Sequence, residues 1–198
     1  MGKATSLFLV LDMQNDLVHP DGPAGNTPLG AQVRERQLIA KTAAAIAKAR
    51  AAGVAVGFVR VGFSEGYPEC PPASPVFAAA AQHGLFKLGA WGTEIHPDLE
   101  QRPGDVQVVK HRVSPFYSTT LEVQLRARNV QRIYCSGVST QAVVQATVRD
   151  GHDRDYEMIV LEDLCAAHSA QEHENSIGSI GRFCRIESSD TVVFAQPG

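Results

Sequence analysis

The sequence predicts an α/β protein: a single-domain, three-layer Rossmann-like fold with a mainly parallel sheet, spanning residues 1–198. Two observations carry that expectation. Short, continuously apolar runs recur along the chain, as strands covered on both faces require. Between them lie longer stretches whose apolar residues follow helical spacing, so strand and helix alternate. With 44% hydrophobic residues, a chain of this length can bury a sizeable core.

Leu7 to Leu11 (LFLVL) is the first such run, and it closes on a carboxylate, Asp12. Gln32 to Ala52 is rich in good helix formers, with Leu38, Ile39, Thr42, Ile46 and Ala49 tracing one stripe, and Gly53 stops it. Val54 to Val61 follows as a second strand, which completes a right-handed βαβ unit. From Gly62 to Gly104 the pattern breaks into Gly, Pro and single aromatics such as Tyr67, Phe77, Phe86 and Trp91. A connection of this length usually carries function. Val106 to Lys110 is a third strand, Thr119 to Arg128 a helix, and Val130 to Cys135 a fourth strand running into Ser136 and Gly137. Thr140 to Asp150 is expected as a helix, Glu157 to Leu161 as a strand, Ala170 to Phe183 as a helix and Arg185 to Glu187 as a short strand. No internal repeat, low-complexity tract or linker interrupts this order.

Composition excludes several classes of function. Eighteen basic and 21 acidic residues leave a formal charge of -3, without a basic face for nucleic acid. No apolar run approaches the roughly 18 residues of a membrane span, and the opening MGKATSLFLVLDMQND lacks the features of a secretion leader. A cytoplasmic protein is expected. Its expected partners are a small-molecule substrate and further copies in a homo-oligomer, with no nucleic acid and no membrane. The four cysteines, Cys70, Cys135, Cys165 and Cys184, share no CxxC spacing, and Cys165 and Cys184 are most simply buried small hydrophobes.

In an open parallel sheet, ligands bind beyond the carboxyl ends of the strands. Three features converge there: Asp12 after the first strand, Lys110 at the end of the third, and Gly137 to Thr140 (GVST) between the fourth strand and a helix N-terminus. An acid, a cation and a helix dipole can together ionise a nucleophile or stabilise an oxyanion.

With these residues in place, the sequence resembles the isochorismatase-like hydrolase superfamily, which includes cysteine amidohydrolases. The resemblance covers most of the chain. It rests on LVLDMQND (Leu9 to Asp16), on GDVQVVKHRVSPFYSTTLEVQLRARNV (Gly104 to Val130), and on GVSTQAVVQATVRDG (Gly137 to Gly151) followed by VLEDLCAAH (Val160 to His168). In amidohydrolase members a triad of Asp, Lys and Cys works by acyl transfer, the thiolate attacking an amide carbon. Carried over by position, the Asp is Asp12 and the Lys is Lys110.

The third member departs from the pattern. The nucleophile position falls on Val143, whose isopropyl group neither attacks nor transfers a proton. Isochorismatases proper also lack the cysteine and hydrolyse a vinyl ether by general acid catalysis, so the resemblance implies that Asp12 and Lys110 suffice. The expectation is therefore hydrolysis of a small molecule by an Asp/Lys pair without a cysteine nucleophile. Its rivals are a catalytically silent member that binds a small molecule, and an amidase with a displaced nucleophile at Ser139, Thr140 or Cys135.

Further substrate-binding candidates are Gln14, Trp91, Phe116, Tyr117, Val138 and Ser139. Gln14 either lines the pocket or ties down the loop after the first strand. Arg60, Arg112 and Lys87 are the candidate partners for the carboxylates of a dicarboxylate substrate. The resemblance also implies a cis Val138–Ser139 peptide that aims backbone N–H groups at the substrate. The seven histidines show no HxxxH spacing, so no metal site and no cofactor are expected, and surface or capping roles suit them.

Overall fold

The computed structural model describes residues 5–197. Residues 1–4, part of the opening expected to lack a leader, and residue 198 lie outside the described residues, as do those ends of the expected 1–198 domain.

Six strands form one sheet: β1 (Thr5–Leu11), β2 (Ala55–Val61), β3 (Val106–Lys110), β4 (Val130–Val138), β5 (Glu157–Ala166) and β6 (Arg185–Glu187), in the order β3-β2-β1-β4-β5-β6. All five pairings are parallel. The order reverses between β1 and β4, the topological switch point at which an open α/β sheet leaves a crevice.

Seven helices are described: α1 (Asn15–Val18), α2 (Pro28–Glu35), α3 (Leu38–Ala51), α4 (Ala80–His83), α5 (Leu121–Ala127), α6 (Gln145–His152) and α7 (Ala170–Ile180). Side chains of β1 alternate between the two faces of the sheet. Phe8 and Val10 pack with α2 and α3, whereas Leu7, Leu9 and Leu11 pack with α5 and α6. That alternation gives the three layers their two cores. The segment after β6 crosses the first face, where Phe194 meets Phe8 and Tyr134 at ring distances of 5.4 and 4.8 Å.

The helix expected over Gln32 to Ala52 is two helices. The break falls at Arg36 and Gln37, with Gln37 in the left-handed region at φ 53°. Arg36 is held there by Glu162 at the far side of the sequence, its Nη2 donating to the Glu162 carbonyl (2.9 Å) and carboxylate (3.0 Å). Strands β4 and β5 run on past Cys135 and Leu161 to Val138 and Ala166. Their pairing shifts register between Cys135 and Gly137, which turns the end of β4 toward the crevice. The helix expected from Thr140 opens instead with a wide π-type turn over Thr140–Val144 before α6.

The long connection after β2 folds back over the sheet end. Phe63, Phe77 and Ala80 are buried together, with Tyr67, Phe86 and Val113 against them. Asp16 anchors this layer, since its Oδ2 accepts a 2.8 Å hydrogen bond from the Phe86 N–H.

Candidate functional site

Asp12 follows directly on β1, its N–H donating to the Val59 carbonyl of β2 (2.9 Å), and its backbone turns left-handed at φ 54°. Asp takes up this conformation at less cost than most L-residues. Lys110 ends β3, in register with Val61 of β2. Because β2 lies between β1 and β3, the lysine side chain crosses the end of the intervening strand. Its Nζ stands 2.7 Å from Asp12 Oδ2 and donates at 3.2 Å to the Arg112 carbonyl. The two side chains are only 2% and 6% exposed. Asp12 Oδ1 is buried without a hydrogen-bond partner among the described residues.

Burial pushes the Asp12 carboxyl above its ordinary value, and the Lys110 charge and hydrogen bond pull against that rise. The proton-bound form is thereby favoured more than in a solvated aspartate.

Beside this pair lies a cavity of about 220 Å³. Asp12, Lys110, Val138, Ser139, Ala142 and Val143 line its floor, and Leu17, Leu29, Val76, Phe77, Phe86 and Val113 its walls, with His168 completing the lining. The Val138–Ser139 peptide is cis. Gly137 precedes it at φ 141°, and a Cβ there would collide with the Leu11 carbonyl, so this close crossing of β1 and β4 requires glycine. Val143 is 2% exposed, packed in the core on the α5–α7 side while also facing the cavity.

Of the expected site residues, Asp12, Lys110, Val138, Ser139 and Val143 are brought together. The other four are not. Gln14 is fully buried and ties down the loop: its Nε2 donates to the Val61 carbonyl (3.0 Å) and its Oε1 accepts from the Val61 N–H (2.9 Å). Trp91 sits in a short 3-10 turn, edge-on to His19 at a ring distance of 5.0 Å and 46% exposed, away from the cavity. Phe116 is buried against Tyr156 at 5.9 Å, with the Arg154 guanidinium over its ring. Tyr117 is exposed and lines a separate cleft with Glu69, His111 and Arg112. None of these rings belongs to the cavity lining.

The expected carboxylate partners are engaged outside the cavity. Arg60 donates to the Thr93 carbonyl and Gln107, Arg112 to the Glu69 and His111 carbonyls, and Lys87 to Glu65. Of the displaced-nucleophile candidates, Cys135 is fully buried within β4 and burial holds its thiol well above the ordinary range. Thr140 is fully buried, its Oγ1 bonded to His173 Nδ1 at 2.9 Å. Ser139 lines the cavity, but its hydroxyl makes no hydrogen bond to a base among the described residues. Burial pushes Cys165 up to about 12. No group of three or more His, Cys, Asp or Glu side chains placed to hold a metal ion occurs among the described residues. Likewise, no helix among them is long and apolar enough to cross a membrane.

The apolar walls and His168 were not singled out from sequence. Phe77 and Phe86 stood in the long connection whose length pointed to function, but nothing local says which of its aromatics turns inward.

A family model described as the isochorismatase domain matches residues 6–191. The chain is 30% identical over 196 residues to the uncharacterized isochorismatase family protein YecD of Escherichia coli O157:H7, covering 96% of each. It is 35% identical over 182 residues to the ureidoacrylate amidohydrolase RutB of Methylobacterium radiotolerans, covering 84% of this chain and 68% of that one. Among solved structures, an isochorismatase family protein from Desulfovibrio vulgaris superposes with a TM-score of 0.82 at 27% identity, over 95% of this chain and 96% of that chain.

Proposed function

The chain belongs to the isochorismatase family of hydrolases, and from that premise we propose that it hydrolyses a small molecule with Asp12 and Lys110, without a cysteine nucleophile. The observation that carries the reading is the buried 2.7 Å Asp12–Lys110 pair at the cavity floor, with Asp12 Oδ1 unpartnered and Val143 beside it. Val143 stands at the position that holds the thiol in cysteine members, so covalent acyl transfer has no nucleophile there.

In this reading Asp12 is the general acid. Its raised carboxyl donates the proton at Oδ1 to the electron-rich carbon of an enol ether, leaving an oxocarbenium ion. Lys110 holds Oδ2 and stabilises the carboxylate so formed. Water adds to the cation and returns a proton to Asp12, and the hemiacetal collapses to an alcohol and a carbonyl compound. A cytoplasmic setting and a homo-oligomer belong to the same proposal, and analytical ultracentrifugation tests the second.

The test is Asp12→Asn against a panel of vinyl ethers, amides and ureides. The amide keeps the shape and the left-handed backbone but has no acidic proton, so turnover falls at least about 100-fold while binding persists. Unchanged turnover would defeat the proposal. A second reading, a binding protein without catalysis, is favoured by Val143 in the nucleophile position. It is supported instead if the wild type binds a member of the panel tightly and turns over none.

A further inference from the structure

The cavity beside Asp12 and Lys110 is poor in positive charge. Nine of its 13 lining residues are apolar, and the polar ones are Asp12, Lys110, Ser139 and His168. Lys110 is the one lysine or arginine among them, and its ammonium group is taken up by Asp12 Oδ2 and the Arg112 carbonyl. Arg60, Arg112 and Lys87, the expected carboxylate partners, all bond to other groups outside this lining. A carboxylate pushed against Val76, Phe77 or Val113 would lose its hydration and gain no counter-charge, which a buried anion does not tolerate.

We propose that this site takes a compact, mainly apolar molecule with at most one anionic group and rejects dicarboxylates. The inference rests on the reading that the Asp12–Lys110 cavity is the substrate site, and it adds the charge class of the substrate. Lys110 is the one full cation of the lining, so at most one anionic group finds a counter-charge there. For a second anion the lining offers only the half-exposed His168. The walls suit a flat apolar body, since Phe77 and Phe86 both face the cavity.

Three probes with a common reacting group test this: phenyl vinyl ether, vinyloxybenzoate and vinyloxyisophthalate, carrying no, one and two carboxylates. Binding is measured by calorimetry and turnover by release of the phenol. The first two should bind within about tenfold of each other and the dicarboxylate at least about 100-fold more weakly. A dicarboxylate that binds as well as the neutral ether overturns the inference, as does failure of all three to bind. Binding in the expected order without turnover keeps the charge class and removes the hydrolytic reading, so the two fail separately.

Val76 provides the converse experiment. It is 61% exposed yet lines the cavity, so a larger polar side chain is accommodated at the surface. Val76→Arg should raise the affinity for the dicarboxylate relative to that for the neutral ether about tenfold. No gain for the dicarboxylate would show that charge at this cavity does not set the preference.

Discussion

Replacing Lys110 by Met leaves Asp12 in a site where its carboxyl has no cation. Both groups are nearly inaccessible and 2.7 Å apart, so the ammonium has no surface-exposed substitute. Breaking a buried ion pair by removing one partner costs about 3–5 kcal/mol near neutral pH. The sign of the pH dependence follows from Asp12. Burial already raises its carboxyl above 3.8, and the two opposing influences both come from Lys110. Without them the folded-state value climbs further. The stability contributed by the neutral acid is complete below the unfolded value and is lost as pH rises toward the folded one, at about 1.4 kcal/mol per pH unit. Lys110→Met should therefore show a deficit that is small in acid and grows as pH rises past the already raised wild-type Asp12 value toward the higher one of the variant. Urea unfolding followed by far-ultraviolet circular dichroism, in a pH series, measures it. The double variant Asp12→Asn/Lys110→Met removes both charges and should recover most of the loss. A Lys110→Met deficit below about 1 kcal/mol, or one that is flat with pH, would refute the buried-pair energetics.

Two other substitutions separate scaffold from chemistry. Gln14→Leu strips both partners from the Val61 amide and carbonyl and should cost about 2–4 kcal/mol in urea unfolding, with the binding of cavity ligands retained in the folded fraction. Val143→Cys nearly conserves side-chain volume, so stability should change by less than about 1.5 kcal/mol. It places a thiol beside Asp12 and Lys110. Hydrolysis of amides or ureides should rise at least about tenfold over the wild type and be abolished by iodoacetamide, and a labelled but inactive variant would contradict the positional match.

The strands were legible because a parallel strand covered on both faces must be apolar throughout, and Asp12 and Lys110 stood out as the charges that end such runs. Their meeting followed from topology, since strand ends on one side of a parallel sheet share a crevice. The helix break at Gln37 was not legible. The Arg36–Glu162 contact that accompanies it spans 126 positions and leaves no local trace. Gln14 was ambiguous for a physical reason: an amide next to a strand end serves a ligand or a neighbouring backbone equally well, and only the register of β2 decides which. Trp91, Phe116 and Tyr117 lie outside the cavity lining, and the direction of an aromatic side chain in irregular chain leaves no mark in the local sequence.

The left-handed backbone at Asp12 limits which variants can serve as evidence about the acid. Glutamate, the usual conservative exchange, disfavours that conformation and extends the carboxyl by a methylene, so its effect mixes chain geometry with proton chemistry. Alanine has the same fault on the backbone side and leaves Lys110 unpaired as well. Asparagine and glycine take up this backbone at the least cost, and of the two asparagine also fills the space. A saturation survey at this position would therefore rank residues first by their tolerance of the turn. Intolerance to substitution there cannot by itself be taken as a measure of catalytic importance.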